Sequence, residues 1–291
     1  MNKEEFTALA HAAVQQWNCE PDGDIFFTHS SLLWPVKHVD EKLLLKIAKP
    51  DDDEAYAADM LRYYNGHGAV KLIKSSDTVQ LLEKLESDPA KLTLQQMVMA
   101  GQADAATHII CDVIGQLHAV PPPADPLRNL IPFRQRSDDM RKHVNEGRVK
   151  PTERPFFQLA YDLCDELIAE TRDTQRPLHG DIHHGNIMNS SRGWLAIDPK
   201  GILGPRVYEY ANSLCNPDTA TEIIAEPAHM ERQASLMAER AGLDKKLLLQ
   251  FAFLHAMQGA AWSLDDPYQR HWLACAKTSA ALAGLSVASC E

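Results

Sequence analysis

Apolar residues over the first seventeen positions fall on one stripe. Phe6, Leu9, Ala10, Ala13, Val14 and Trp17 recur at the three-to-four-residue spacing of an amphipathic helix. The rhythm then shortens: Ile25–His29, Leu32–Val39 and Lys42–Ala48 read as strands, with Asp40-Glu41 as a tight turn and Pro35 marking a bulge or an edge. Asp51-Asp52-Asp53 offers acids to the start of a helix that runs to about Tyr64 and stops at Asn65-Gly66-His67-Gly68. Two more strands follow over Ala69–Lys74 and Thr78–Leu82. After Glu83 long helical periods take over. One helix is predicted from Leu94 to His118, stopped by prolines 121–123, and another from Phe156 to Arg172. Three more are predicted near 220–241, 244–263 and 267–286, and a short β region surrounds residues 178–200. The pattern predicts an α+β fold in two lobes. A small N-terminal antiparallel β lobe spans residues 1–84, a linker falls at about 80–88, and a larger, mainly helical C-terminal lobe spans 85–291. The natural ligand cleft lies between the lobes.

Composition narrows the function classes. The 291 residues, 45% hydrophobic, suffice for a real core. No apolar run reaches 18 residues, so no membrane-spanning helix is expected, and the N-terminal residues lack the pattern of a secretory signal. Twenty-nine basic against 40 acidic residues give a formal charge of −11, which disfavours nucleic acid and anionic membranes as partners and is compatible with a cationic substrate. Six cysteines are scattered with no Cys-x-x-Cys pair, which predicts free thiols in a reducing cytoplasm.

The stretch from Leu178 to Lys200 carries the chemistry. Asp181 precedes Asn186 by five residues, and Asp198 follows at the end of an apolar strand. Phosphoryl transfer needs that set: a carboxylate to orient an acceptor hydroxyl, and an amide and a second carboxylate to hold Mg²⁺ on a triphosphate. Asp181 is therefore the candidate catalytic base, and Asn186 and Asp198 are the candidate metal ligands. Upstream, Lys46 alternates with Leu45 and Ile47, sharing its face of the strand with Leu44 and Ala48. A lysine in so apolar a strand calls for an anion, which nucleotide phosphates supply. Glu54 is the candidate partner that orients Lys46, in competition with Asp51, Asp52, Asp53 and Asp59. Ser30 and Ser31, in a loop between strands, are placed to meet phosphate oxygens, although the loop lacks a Gly-x-Gly-x-x-Gly fingerprint. Leu82 and Glu83, in the extended linker, are placed to offer backbone groups to an adenine edge. A rival reading takes His179, Asp181, His183 and His184 as the metal cluster of a metal-dependent hydrolase, but leaves Lys46 and Asp198 unexplained.

At these residues the chain resembles the aminoglycoside phosphotransferase-type small-molecule kinases, within them the streptomycin 6-kinase and hydroxyurea phosphotransferase branch. The resemblance is carried by residues 30–36, Leu45-Lys46, 65–72 and 81–83, by 178–187 and 193–201 in the second lobe, and by 260–264. It implies a two-lobed protein-kinase-like fold and ATP- and Mg²⁺-dependent transfer of the γ-phosphoryl group to a hydroxyl. In residue roles it implies Asp181 as base, Asn186 and Asp198 on the metal, and Lys46 on the phosphates paired to Glu54. Two positions depart from the family pattern: Gly185 stands where Glu is frequent, and Glu209 where Asp is usual. The acceptor is a small hydroxyl compound. A cationic aminocyclitol, hydroxyurea and another alcohol all fit. A polycation would call for carboxylates near Asp181, for which Asp138, Asp139, Asp162, Asp165, Glu166, Asp265 and Asp266 are the candidates. Trp262 and Trp272 either line a pocket or pack the core.

Overall fold

The computed structural model describes residues 2–28, 30–49, 57–123, 127 and 129–286. Helix α1 (Lys3–Gln16) begins at Asn2, whose side chain accepts the Glu5 N–H while the Glu5 carboxylate accepts the Asn2 N–H. This reciprocal cap satisfies two donors that the first turn would otherwise leave unpaired. The predicted stripe of α1 packs on one face of a six-stranded antiparallel sheet. Its strands are β1 (Glu20–Pro21), β2 (Phe26–Phe27), β3 (Ser31–His38), β4 (Glu41–Ala48), β5 (Leu72–Ser76) and β6 (Val79–Glu83). They run in the order β1-β3-β4-β6-β5, with β2 also paired to β3. Side chains alternate as the period of two requires. Leu43, Leu45 and Ile47 join Leu32, Trp34, Val36 and Leu81 under α1. The register sets Leu33 opposite Lys46 and Ser31 opposite Ala48, so Ser31, Leu33 and Lys46 share the other face.

Pro35 is neither at a bulge nor on an edge strand. It lies in β3 between Leu33, which pairs β2, and Val36, which pairs β1. Its carbonyl, on the same side of the strand as its nitrogen, accepts the Asp22 N–H at 2.9 Å. The missing N–H thus falls between two short flanking strands, and the β3–β4 ladder loses nothing.

Helix α2 (Ala57–Tyr64) buries Met60, Leu61 and Tyr64 in the core of the second lobe, not in the core under α1. The acids at 51–53 and Glu54 lie outside the described residues. The strand expected from Ala69 starts only at Leu72. Ala69 instead makes a lone parallel bridge to Ala196, with Val70 N–H donating to the Ala196 carbonyl and Ala196 N–H to that of Gly68. This stitch fastens the first lobe to the β region of the second.

The helix expected from Leu94 to His118 is two helices, α3 (Leu94–Met99) and α4 (Ala103–Ala119). Gly101 between them adopts φ +75°, a left-handed conformation that ends the first helix. Beyond them lie β7 (Ile131–Pro132), α5 (Asp138–Asn145), α6 (Arg154–Glu170), β8 (Gln175–Leu178), β9 (Ile187–Ser190), β10 (Gly193–Ala196) and β11 (Ile202–Pro205). The last helices are α7 (Tyr208–Leu214), α8 (Thr221–Ile224), α9 (Pro227–Ala241), α10 (Lys245–Trp262) and α11 (Gln269–Ala283). Strands β9 and β10 form a hairpin, and β11 pairs β7 and β8. Helix α10 is buried nearly all round, as befits the centre of a helical lobe. Helix α7 was not legible in the sequence because all seven of its residues are buried, so no polar face marks its period. Among the described residues no helix is long and apolar enough to cross a membrane. Cys19, Cys111, Cys164, Cys215 and Cys275 are free and buried.

Candidate active site

Strand β8 delivers the chain into a loop, residues 179–186, held from below by α7. Glu209 on α7 is buried, and its two carboxylate oxygens accept the N–H groups of His179 and Gly180, each at 2.8 Å. Burial raises the Glu209 carboxyl, but His118, whose Nε2 lies 3.7 Å from Oε2, the field of His179 and the Gly180 N–H outweigh burial and leave it below the usual range. Gly180 takes φ +81°, and a Cβ there would lie 2.4 Å from Ile202 Cδ1, so only glycine fits between loop and β11. Ser213, also on α7, donates to the Ile182 carbonyl at 3.0 Å.

Asp181 emerges from this support with each carboxylate oxygen accepting a hydrogen bond. Asn212 Nδ2 donates to Oδ1 at 3.0 Å, and Asn186 Nδ2 donates to Oδ2 at 3.2 Å and to the Asp181 carbonyl at 3.0 Å. Burial pushes the Asp181 carboxyl up, yet the fields of His183, Lys200, His179 and Arg136 together hold it below the usual carboxylate range. The carboxylate is therefore ionised at neutral pH. Because the Asn186 nitrogen is committed to Asp181, its Oδ1 is the atom left for a cation.

His179 joins the loop to the next strand. Its Nδ1 accepts the Asp181 N–H at 3.3 Å and its Nε2 pairs with the Ile197 carbonyl at 2.9 Å. A carbonyl only accepts, so these partners assign a neutral ring protonated on Nε2, and burial, the largest influence, lowers its pKa accordingly. Asp198 follows directly, with φ +60°, a conformation costly for a non-glycine residue and frequent at functional sites. Its Oδ1 receives Lys46 Nζ at 2.7 Å across the cleft. Lys46 is almost fully buried, and Asp198 is about a third exposed.

Behind this pair the cleft holds a cavity of about 370 Å³, within the size range of small-molecule sites. Leu33, Leu44, Val70 and Leu82 face Met188 and Ile197 across it, with Glu83 and Leu85 at the linker. The Glu83 side chain turns away, to Arg192 and to the Lys71 N–H at 2.7 Å, and the Glu83 N–H donates to the Lys71 carbonyl at 3.0 Å. Arg192 also donates to the carbonyls of Gly66 and Ala69, strapping the β9–β10 turn to the first lobe.

The fold thus brings Asp181 to Asn186, Lys46 to Asp198, and Leu82 and Glu83 to the cavity beside the Lys46–Asp198 pair. Ser30 and Ser31 sit at the tip of the β2–β3 hairpin beside β4, where Lys49 N–H donates to the Ser30 carbonyl and Ser31 N–H to Thr28 Oγ1. Glu54 lies outside the described residues. Sequence reasoning missed Asn212, Leu33, Val70, Met188 and Ile197. Leu33 alone left a signal, because it lies opposite Lys46 in the hairpin register.

The rival metal-hydrolase reading is overturned. His179 spends both ring nitrogens on the loop, and His183 Nδ1 accepts the Gly185 N–H at 3.1 Å. His184 points into a small internal cavity lined by Thr107, Ser213 and Gln233, where burial first of all pushes it down to about 3. Among the described residues no group of three or more His, Cys, Asp or Glu side chains converges to hold a metal.

Residues 16–267 match the model of the family described as aminoglycoside/hydroxyurea antibiotic resistance kinase. A streptomycin 3''-kinase from Klebsiella pneumoniae is 31% identical over 259 residues, covering 87% of this chain and 91% of that one. A streptomycin 6-kinase from Streptomyces glaucescens is 26% identical over 266 residues, covering 89% and 83%. In fold, the chain is similar to an aminoglycoside phosphotransferase solved as a ternary complex with ADP and hygromycin B, with a TM-score of 0.64 at 13% identity, covering 97% of this chain and 100% of that one. The chain belongs to the aminoglycoside/hydroxyurea antibiotic resistance kinase family, and it is an ATP-using kinase that phosphorylates a hydroxyl of a small molecule.

Proposed function

We propose that Asp181 orients and finally deprotonates the acceptor hydroxyl while Lys46, Asn186 and Asp198 hold the triphosphate end of ATP with Mg²⁺. Adenine would fill the 370 Å³ cavity against Leu33, Leu44, Leu82, Met188 and Ile197, with backbone groups of the linker at Glu83 on its edge. Ser30 and Ser31 would cover the phosphates, and Glu54 would pair with Lys46 when nucleotide displaces Asp198 from it. The donor set suits a hard cation: one carboxylate on Asp198 and one amide oxygen on Asn186, with phosphate oxygens completing the shell. When bound, Mg²⁺ would neutralise charge on the β- and γ-phosphates. In the transfer, the acceptor oxygen forms a bond to the γ-phosphorus as the bond from that phosphorus to the β–γ bridging oxygen breaks. The acceptor proton passes to Asp181 and on to solvent. The transition state is loose, so positioning counts for more than basicity, which suits a carboxylate held below the usual range.

The observation that carries this reading is the clamp of Asn186 and Asn212 on the two oxygens of Asp181, in the same cleft as the Lys46–Asp198 contact. The acceptor is a hydroxyl compound of the kind the relatives' names describe, an aminocyclitol such as streptomycin or hydroxyurea, and the reaction takes place in the cytoplasm, where ATP is available. The test is ADP release against a panel of hydroxyl compounds for the wild type and Asp181→Asn. The variant should lose turnover by roughly three orders of magnitude while keeping its ATP-induced thermal shift. Wild-type turnover by Asp181→Asn with a true acceptor would refute the assignment.

A further inference from the structure

Five of the seven acids expected to greet a cationic acceptor have partners of their own. Asp138 and Asp165 pair with Arg134, Asp265 pairs with Arg148, Asp162 accepts from Gln158, and Asp266 caps the Tyr268 N–H. Among the charges whose field acts on Asp181 is a cation of the helical lobe, Arg136. Arg136, in the helical turn Phe133–Ser137, lays its guanidinium over the Trp262 ring, 4.4 Å from the ring centre. Its charge also acts on Tyr208, pulling that hydroxyl down against the larger rise from burial. Tyr208 in turn pairs its hydroxyl with His255 Nδ1 at 3.0 Å and with Gln258 Oε1 at 2.9 Å, and Gln258 Nε2 donates to Ser137 Oγ at 3.1 Å. The turn carrying Arg136 is thereby locked to α10 by a buried network.

None of these residues lines the apolar cavity beside Lys46. Tyr208 lies one turn before Asn212 on α7, and Asn212 Nδ2 donates to Asp181 Oδ1 at 3.0 Å, so the network borders Asp181 from the α7 side. The network adds no negative charge. Burial first, and then the field of Arg136, push His255 down to about 3, so its ring is neutral. Trp262 is 42% exposed and presents a flat apolar surface that its Arg136 partner extends with a planar, donor-rich edge.

We propose that Arg136 and Trp262 form the acceptor wall of the site and select a substrate with an uncharged, hydrogen-bond-accepting oxygen, such as a carbonyl, beside the reacting hydroxyl, against one with an ammonium or guanidinium there. Arg136 supplies donors to that oxygen, Trp262 takes the flat face of the substrate, and a cationic neighbour is repelled by the guanidinium. The inference rests on Asp181 as the group facing the acceptor hydroxyl.

Matched acceptors test it. N-acetylglucosamine against glucosamine, and hydroxyurea against streptomycin, contrast a carbonyl with a cation near the hydroxyl groups. Wild-type kcat/KM should favour the carbonyl member of at least one pair by about tenfold. Arg136→Gln should lower kcat/KM for that member about tenfold, mainly through KM, and narrow the preference to about threefold or less, with KM for ATP unchanged. Trp262→Ala, at a half-exposed position less able to disturb folding, should act in the same direction. The inference is overturned if the wild type prefers the cationic member of both pairs, if it turns over no carbonyl member, or if Arg136→Gln lowers both members of a pair equally. Asp181→Asn separates the two claims: if it abolishes turnover of every accepted compound while the Arg136 result fails, the wall is wrong and the catalytic reading stands.

Discussion

Lys46 Nζ and Asp198 Oδ1 meet at 2.7 Å although 152 residues separate them in the chain. The pair closes the cleft from both sides, one group from β4 and the other from the segment after β10. In the proposed mechanism both charges belong to the ATP site, so the contact is one that nucleotide must rearrange. Lys46→Met should lower turnover by about a hundredfold to a thousandfold and diminish the thermal shift given by ATP with Mg²⁺. Because Asp198 is about a third exposed, the cost to stability should be small, about 1 kcal/mol, read from the denaturant midpoint. A large loss of stability would show the contact to be structural instead.

Glu209 should be the residue whose charge holds the loop in place. Glu209→Gln keeps the length but turns an NH₂ group toward one of the two N–H donors of His179 and Gly180, leaving it unpaired. About 2–3 kcal/mol of stability should be lost, with turnover falling and KM for ATP little changed. Chemical denaturation and steady-state kinetics on the same preparation check both effects.

Gly180→Ala should be destabilising by about 2–4 kcal/mol, since it adds a left-handed strain to a collision with Ile202. The double variant with Ile202→Val removes the nearest methyl. It should therefore be more stable than the sum of the two single losses predicts, and additive losses would mean that Ile202 is not what excludes a side chain.

Stability should fall as the pH drops below about 6.5, with His255 as a contributor. Its folded pKa is depressed to about 3 by burial and by the fields of Arg136 and His183, against an opposing field from Asp181. Below the unfolded pKa the unfolded chain binds a proton that the folded chain refuses, so stability is full above about 6.5 and declines toward pH 3 by up to about 1.4 kcal/mol per pH unit. His255→Gln retains a partner for the Tyr208 hydroxyl and should flatten the profile of unfolding free energy between pH 7 and 5. An unchanged slope would assign the proton uptake to other buried histidines.

Much of the site was legible because its chemistry is local in sequence. Asp181 and Asn186 sit five residues apart in one loop, and a loop of that length keeps both groups within hydrogen-bonding reach, as the 3.2 Å contact shows. Lys46 was legible for a different reason: strand alternation isolates a charge among apolar neighbours, and only a cleft-facing anion makes sense of it. The supports were not legible. Asn212 is one amide in a helix buried on every side, and nothing local says that it faces Asp181. Glu209 was noticed only as a departure from a family pattern, and its clamp on two N–H groups came from the packing of α7 under the loop. Pro35 misled because a proline in a strand usually means an edge, whereas here a gap between two short partners accommodates it.

By itself the sequence determined the two-lobe α+β plan and the hydroxyl-kinase chemistry and named the residues proposed to carry it, since periodicity and short motifs depend on neighbours a few residues away. Tertiary structure alone decided what those residues touch. It put Asp198 against Lys46, spent His179 and His183 on loop geometry, paired acids expected at the acceptor with Arg134 and Arg148, and laid Arg136 over the Trp262 ring. Those outcomes depend on segments far apart in the chain, and only packing the core brings such segments together.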